Sequence, residues 1–147
     1  MSIEANKALA RAAIAVWRSG DESGAGTVFA PGYVMHQHQD PDGAGDLTLS
    51  ALLRFVLRFR QAFSDLQERI DLQIAEGELV ATRFTAAGTL SGSYQGIAPT
   101  GRRLSWSGMV IDRITEGRII ESWGIWDMLG MLQQMGATVR LPAGTAG

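Results

Sequence analysis

The sequence predicts one α+β domain in which about three helices pack on one face of a curved antiparallel sheet. The chain has 147 residues, of which 46% are hydrophobic and 19% charged, enough for one buried core. Helical periodicity dominates the first half, and long strand-like segments joined by tight turns fill most of the second. Helices followed by hairpin-linked strands are typical of the α+β class.

Two helices are predicted in the first half and a third near the end. Residues 4–18 carry apolar side chains at helical spacing on one face, and Gly20 is placed to cap the helix end. Residues 48–63 form the clearest amphipathic segment, because apolar residues recur every three or four positions while arginines occupy the other side. Residues 128–135 predict a short final helix.

Strands and turns account for most of the remaining chain. The pair Pro31-Gly32 predicts a turn, residues 33–38 a short strand and residues 39–46 a loop. Four longer strands follow, linked as hairpins through Glu- and Gly-containing turns: residues 68–75, 79–90, 104–114 and 118–126. Alternation in the first of the four places three apolar side chains on one face: Ile70, Leu72 and Ile74.

Composition excludes several classes of function. The net charge is −2, with 13 basic and 15 acidic residues, so no nucleic-acid partner is expected. Cys is absent, which excludes disulfides and thiolate chemistry. No apolar run approaches the ~20 residues that span a bilayer, and the first residues lack a secretory pattern. We expect a cytoplasmic protein without membrane contact, with one domain over residues 1–137 and a loose tail over residues 138–147.

Three blocks in the second half carry a family resemblance. They are Gly96–Arg103, Gly117–Trp123 and Asp127–Gly136, and their spacing fits without gaps, while Tyr33–His36 and Val80–Arg83 fit more weakly. In these blocks the chain resembles the SnoaL-like polyketide cyclase family of the nuclear-transport-factor-2-like superfamily. The resemblance implies a cone-shaped fold around an apolar pocket and a homodimer or higher homo-oligomer. It also implies cofactor-free chemistry on a hydrophobic small-molecule substrate.

At the positions where the family has catalytic side chains, this chain has residues that cannot perform the same chemistry. The family's aldol cyclases use an aspartate on the last strand and a histidine on the strand before it, and the ungapped match places Gly124 and Val110 there. The epoxide hydrolase relatives use an arginine and an aspartate on an earlier strand, where this chain has Phe84 and Ala86. The aldol-cyclase mechanism is therefore not transferred to this chain.

Strand alternation predicts which side chains line the pocket. If Gly124 on the last strand and Val110 on the strand before it face the pocket, every second residue along both strands faces it too. The predicted lining is mostly apolar, as small-molecule pockets are, and its members are the candidates for substrate contact: Tyr33, Met35, Phe84, Ala86, Trp106, Val110, Ser122, Gly124 and Trp126. The alternative is that these residues simply fill a solid core.

Asp127, His36 and Tyr33 are the candidates for acid–base catalysis. Asp127 is the carboxylate nearest the missing aspartate, but it also directly precedes a helical segment, where Asp is a favoured N-cap, and the cap is the preferred interpretation. The imidazole of His36 suits proton transfer near neutral pH, although parity places it opposite Tyr33, at the rim. With His38 it could bind a metal, but the spacing fixes no third ligand, so no metal site is predicted.

Two further expectations concern charge and assembly. Asp112 falls on the inner side of its strand near a hairpin turn, and a surface salt bridge is the expected partner of its carboxylate. Glu121 and Trp123 are expected on the outer face of the sheet, which would form the homodimer contact.

The sequence thus predicts a cofactor-independent cyclase or isomerase that folds a hydrophobic polyketide intermediate into a reactive conformation. Two alternatives stay open. One is a cofactor-free hydroxylase of a polyketide pathway. The other is a non-catalytic binder of an apolar small molecule, which the glycine at position 124 supports directly.

Overall fold

The computed structural model describes residues 2–37 and 45–144 and has the expected α+β class, with a curved, unclosed sheet. Within the described residues the helices are α1 (Ile3–Ser19), α2 (Glu22–Val28), α3 (Leu49–Ala62) and α4 (Met128–Gln134). The strands are β1 (Phe29–His36), β2 (Leu47–Thr48), β3 (Gln67–Glu76), β4 (Leu79–Thr89), β5 (Arg103–Thr115) and β6 (Arg118–Trp126). None of the described helices combines the length and apolar character needed to cross a membrane.

The sheet has the strand order β2-β1-β6-β5-β4-β3. The β3–β4, β4–β5 and β5–β6 pairs are antiparallel, as the hairpin turns predict. The β1–β6 pair is parallel, with Met35 beside Ser122, so the expectation of a purely antiparallel sheet is wrong for this pair. Most of the chain separates these two strands, and therefore no short turn dictates their relative direction.

Strand β1 starts earlier than predicted and runs through Pro31 and Gly32 without a turn. Its register against β6 shifts between Phe29 and Val34. Pro31 therefore lies where no regular ladder hydrogen bond requires its missing N–H, and both Pro31 and Gly32 are exposed. The turn prediction was wrong because a Pro-Gly pair also suits an irregular strand edge.

Helix α2 is a fourth helix that periodicity did not predict. It has seven residues, two of them glycines, which is too short and too weak a pattern to recognise. The Asp21 carboxylate accepts a hydrogen bond from Ser23 N at 2.9 Å and caps the helix. Ala25 and Val28 are buried in the core, so tertiary packing stabilises this short helix.

A β-bulge in β3 reverses one predicted face. The pairing passes from Ile70 beside Phe84 to Leu72 beside Arg83, which leaves Asp71 as the extra residue. Leu72 and Ile74 consequently point outward and are 49% and 66% exposed, whereas Ile70 shares the inner face with Phe84. The expectation that Ile70, Leu72 and Ile74 share a face is therefore wrong.

The core consists of two apolar clusters. One packs α1 and α2 with β1 and the first half of α3, and the other packs the second half of α3 with α4, β4 and β5. Trp17 of α1 and Trp126 of β6 contact both clusters. Residues 138–144 are exposed and belong to no helix or strand. The three predicted helices and the four long strands match the structure to within one residue at each end.

Candidate functional site

A cavity lies between helices α1 and α3 and the inner face of the sheet. The cavity is open on one side, and its space together with the adjoining solvent amounts to about 720 Å³. Its wall contains the whole predicted lining: Tyr33, Met35, Phe84, Ala86, Trp106, Val110, Ser122, Gly124 and Trp126. Strand alternation therefore identified the wall correctly, and the fold leaves a cavity rather than a solid core. Substrate contact by these residues stays a prediction.

Aromatic rings form much of this wall. The ring of Trp17 packs edge-on against Phe55 at a centroid distance of 5.6 Å and against Trp126 at 6.5 Å. Phe59 and Trp106 meet edge-on at 5.8 Å. Edge-on contacts of this kind fix the rings relative to one another. The resulting aromatic surface suits a flat, apolar ligand.

A chain of three hydrogen-bonded side chains forms a polar part of the wall. Ser122 of β6 lies opposite Asp112 of β5 and donates its hydroxyl proton to Asp112 Oδ1 at 2.5 Å. Tyr33 of β1 is hydrogen-bonded to Ser122. Among the described residues, Asp112 Oδ2 has no hydrogen-bond partner.

Burial shifts the proton affinity of this group. Asp112 is 2% exposed. Loss of solvent raises its pKa to about 7, although the hydrogen bond from Ser122 opposes the rise. Burial also raises the pKa of Tyr33 far above its ordinary value, so the phenol stays protonated. A carboxyl group that is half ionised near neutral pH can both accept and return a proton.

The expected surface salt bridge of Asp112 is absent from the described residues, and this prediction was wrong. The neighbouring Arg113 instead directs its Nε to Glu121 Oε1 at 2.8 Å and one terminal nitrogen to Glu78 at 3.7 Å. Alternation had placed Asp112 inward, but its proximity to a hairpin turn suggested contact with water. In the fold this part of β5 belongs to the cavity wall, where Ser122 replaces water as the hydrogen-bond donor.

Glu68 is a second acid in the wall, half-buried, which sequence reasoning missed. It lies on β3 opposite Ala86, and its Oε2 has no hydrogen-bond partner within the described part of the chain. Burial raises its pKa to about 8, while the charges of Arg18 and Arg60 act in the opposite direction. The available signal was strand parity, since Glu68 precedes the inward-facing Ile70 by two residues.

Gly124 lies in the wall opposite Val110, and the space beside it is occupied. A Cβ atom at this position would lie 2.5 Å from Met35 Cε and 3.7 Å from a ring carbon of Trp126. The Met35 methyl group thus fills the place of a side chain. Because methionine is unbranched and flexible, the space available here depends on its rotamer.

Asp127 lies outside the cavity wall. Its carboxylate accepts a hydrogen bond from Gly130 N at 2.9 Å and caps α4, and the residue is exposed. The cap interpretation is confirmed. This position gives no support to a role as general acid in the cavity, because the carboxylate is engaged at a helix end and faces solvent.

His36 lies on the outer face of the sheet, as parity predicted, and contributes nothing to the cavity wall. Its Nε2 is 3.0 Å from Glu121, its Nδ1 is 3.1 Å from Asp46, and its ring stacks on Trp123 at 5.3 Å. Hydrogen bonding to Glu121, and then to Asp46, raises the pKa of His36. The cavity wall and the His36 imidazole are therefore on opposite sides of the sheet.

His38, which could share a metal ion with His36, and residues 39–44 of the predicted loop fall outside the described residues. Within the described ranges, no three His, Cys, Asp or Glu side chains are grouped to hold a metal ion. The outer face of the sheet carries six exposed large apolar side chains beside the charged group around His36: Leu72, Ile74, Met109, Ile111, Trp123 and Ile125. A dimer through this face stays a prediction.

The fold and the aromatic-walled cavity define a class of small α+β proteins with a cavity between their helices and a curved sheet. Residues 7–135 match the SnoaL-like polyketide cyclase family, and the chain belongs to this family. No curated protein matches the sequence.

Several solved structures are similar over nearly the whole chain. AclR from Streptomyces galilaeus, described as a candidate hydroxylase, is 27% identical with a TM-score of 0.82, over 97% of this chain and 91% of AclR. IdmH from Streptomyces antibioticus, described as a candidate polyketide cyclase, is 28% identical with a TM-score of 0.79, over 90% of this chain and 99% of IdmH. TsrD from Streptomyces laurentii is 25% identical with a TM-score of 0.81, over 94% of this chain and 99% of TsrD.

Proposed function

We propose that this protein is a cofactor-independent cyclase or isomerase that acts on a hydrophobic, polyketide-like intermediate, with Asp112 as the group that moves the proton. One observation carries the proposal. Asp112 is buried in an apolar cavity wall with one oxygen held by Ser122, its other oxygen without a hydrogen-bond partner among the described residues, and a pKa of about 7. Perturbed carboxyl groups in clefts are typical of acid–base catalysts.

The proposed reaction needs no atom from outside the substrate. Asp112 Oδ2 accepts a proton from the carbon beside a substrate carbonyl, and the enolate carbon bonds to a second carbonyl carbon of the same molecule. Asp112 then returns the proton to the new alkoxide, so one C–C bond forms and the mass is unchanged. If the enolate is instead reprotonated at another carbon, the same carboxyl group gives an isomer.

Ser122 and Tyr33 support this carboxyl group in two ways. The bond from Ser122 fixes Asp112 Oδ1 and leaves Oδ2 as the reactive oxygen. It also stabilises the carboxylate after ionisation and so keeps the pKa from rising further. Tyr33 orients Ser122 from the neighbouring strand. Asp112 is thereby preorganised for proton transfer.

Aromatic packing supplies the second part of the proposed catalysis. The rings of Trp17, Trp106 and Trp126 bound the cavity, and an aromatic, mostly apolar lining is typical of small-molecule sites. When the cavity holds a flexible substrate with two carbonyl groups in one conformation, its two reacting carbon atoms stay close together, which raises the rate of bond formation. In this proposal Asp112 replaces the aspartate and histidine of the aldol cyclases, whose positions Gly124 and Val110 would occupy.

The test uses mass spectrometry with a panel of aromatic polyketide ketones. We expect a rearranged product of unchanged mass, with turnover reduced at least about a hundredfold in Asp112→Asn, the scale of a lost general acid–base. Asp127→Asn is the matched control, because it neutralises an exposed carboxylate outside the cavity and keeps a residue that caps helices well. Equal turnover in wild type and Asp112→Asn would contradict the assigned role, and recovery of unchanged ligand at stoichiometry would indicate a binder.

Hydroxylation is the second candidate, because AclR, described as a candidate hydroxylase, aligns with 97% of this chain. Without a cofactor, the substrate itself would have to form an electron-rich anion that reacts with oxygen. Asp112 could generate that anion by the same proton abstraction. Oxygen would add to that anion as a hydroperoxide, and loss of water would leave a ketone. A product that has gained one oxygen atom and lost two hydrogen atoms would therefore favour this function over the cyclase.

A further inference from the structure

Glu68 is the cavity group that the proposed chemistry does not use. It lies on β3, in the row formed by Ala86 of β4 and Trp106 of β5. The residue is half-buried in a mostly apolar wall, but its Oε2 atom is buried and has no hydrogen-bond partner in the described ranges. Burying a polar group without a partner lowers stability, so this arrangement is unfavourable for the empty protein.

Glu68 and Asp112 lie at opposite ends of the cavity wall. Asp112 lies in the row with Ser122 of β6, whereas the row of Glu68 contains Trp106, six positions earlier on β5. Six positions correspond to about 20 Å along a strand. The intervening inner wall is apolar, with Val110, Phe84 and Trp126 among its residues.

The charges near Glu68 do not neutralise it through a direct ion pair. Arg18 at the end of α1 and Arg60 at the end of α3 are the cations that influence its titration. No ion pair of Glu68 occurs among the described residues, and burial outweighs the two arginines, which holds the pKa at about 8. At neutral pH the group is therefore a carboxylic acid with a proton to donate.

We propose that Glu68 forms a second polar subsite of the cavity, which donates a hydrogen bond to a carbonyl oxygen at the end of the substrate remote from Asp112. This inference rests on the proposed function, since it places the substrate in the same cavity. A ligand carbonyl at Glu68 satisfies a buried donor, whereas a ligand with a hydrocarbon group there leaves the donor unpaired. The cavity therefore selects elongated ring systems with an oxygen at each end.

The test compares two ligands that differ at one end only. One is anthracene with an acetyl group at each end of the ring system, and the other has an ethyl group in place of one acetyl. For wild type we expect the diacetyl compound to bind about tenfold more tightly, the scale of one buried hydrogen bond. Glu68→Gln keeps a donor and should keep the preference, whereas Glu68→Leu should reduce the ratio to about one. Tryptophan fluorescence gives the affinities, and circular dichroism confirms folding.

A pH series separates the proposed donor from a merely structural role. The wild-type preference should decline as the pH rises through about 8, because ionised Glu68 cannot donate. Arg18 and Arg60 remain charged throughout, and Asp112 titrates near pH 7 for both ligands, so its effect cancels in the ratio. Glu68→Gln should show a constant ratio over the same range.

The outcomes distinguish the two proposals. Equal ratios in wild type and Glu68→Leu, with both ligands bound, would overturn the Glu68 subsite and leave the proposed function intact. A tenfold ratio that depends on Glu68, in a protein that turns over no polyketide, would support the subsite and contradict the enzyme. Failure of both ligands to bind wild type would contradict both proposals.

Discussion

Replacing Asp112 by Asn tests the central residue through stability as well as turnover. Asn keeps an oxygen for the Ser122 hydroxyl and imitates the neutral form of the acid, but it cannot ionise. In wild type, burial raises the pKa of Asp112 from 3.8 to about 7. The folded state therefore binds this proton more tightly than the unfolded chain does.

The direction and the size of the pH effect on the free energy of unfolding follow from this difference in pKa. The stabilisation from Asp112 is fully present below pH 3.8 and is lost as the pH rises to about 7. The pKa of Asp112 rises by about three units, and at about 1.36 kcal/mol per unit its contribution to the free energy of unfolding is about 4 kcal/mol. About two of those units lie above pH 5, so the wild-type free energy of unfolding should fall by about 3 kcal/mol more than that of Asp112→Asn between pH 5 and pH 8.

Urea unfolding of both proteins at pH 5, 6, 7 and 8 measures this difference. Glu68 and the surface carboxyl groups are common to both proteins, so their contributions cancel. We expect Asp112→Asn to be the more stable protein at pH 8 and to have lost its turnover. Parallel pH profiles would show that Asp112 is ionised normally, and the proposal of a proton-transferring group at this position would then fail.

Three further predictions concern positions around the cavity and on the outer face. Gly124→Asp should abolish turnover with the fold kept, because its Cβ would lie 2.5 Å from Met35 Cε and its carboxylate would be buried. Full activity of this variant would show that Gly124 does not line the working cavity. Asp127→Ala should lose about 1 kcal/mol of stability in thermal unfolding, and its turnover should fall by less than about tenfold. A fall in turnover of about a hundredfold in a stably folded variant would make Asp127 the catalytic acid. Sedimentation should give a homodimer of the 15.8 kDa chain and a monomer for Ile125→Arg, and a monomeric wild type would contradict the predicted interface.

Local pattern was enough to predict most of the elements and most of the cavity wall. Alternation along β5 and β6 placed Val110 and Gly124 on the inner face and Glu121 and Trp123 on the outer one. Both assignments hold because side chains of a regular strand alternate strictly between its faces. The same rule failed in β3, where the bulge at Asp71 reverses the faces and no sequence signal marks the extra residue.

The candidates for acid–base catalysis show which properties local sequence patterns cannot predict. Asp127 followed a capping rule and is a cap, which the sequence already favoured. Strand parity could place Asp112 and Glu68 on the inner face of the sheet, but it could not show how far distant elements exclude water from their carboxyl groups. Their raised pKa values arise because distant elements remove water from both carboxyl groups.

The sequence by itself determined three of the four described helices, the four long hairpin strands and the inward-facing residues of β5 and β6, because these depend on spacing within one segment. Tertiary structure decided the parallel pairing of β1 with β6, the position of the Met35 methyl group over Gly124 and the bond from Ser122 to Asp112. Each of these depends on atoms from segments far apart in the chain. Desolvation in particular sums over every neighbour of a group, so the chemistry of the cavity depends on the folded arrangement.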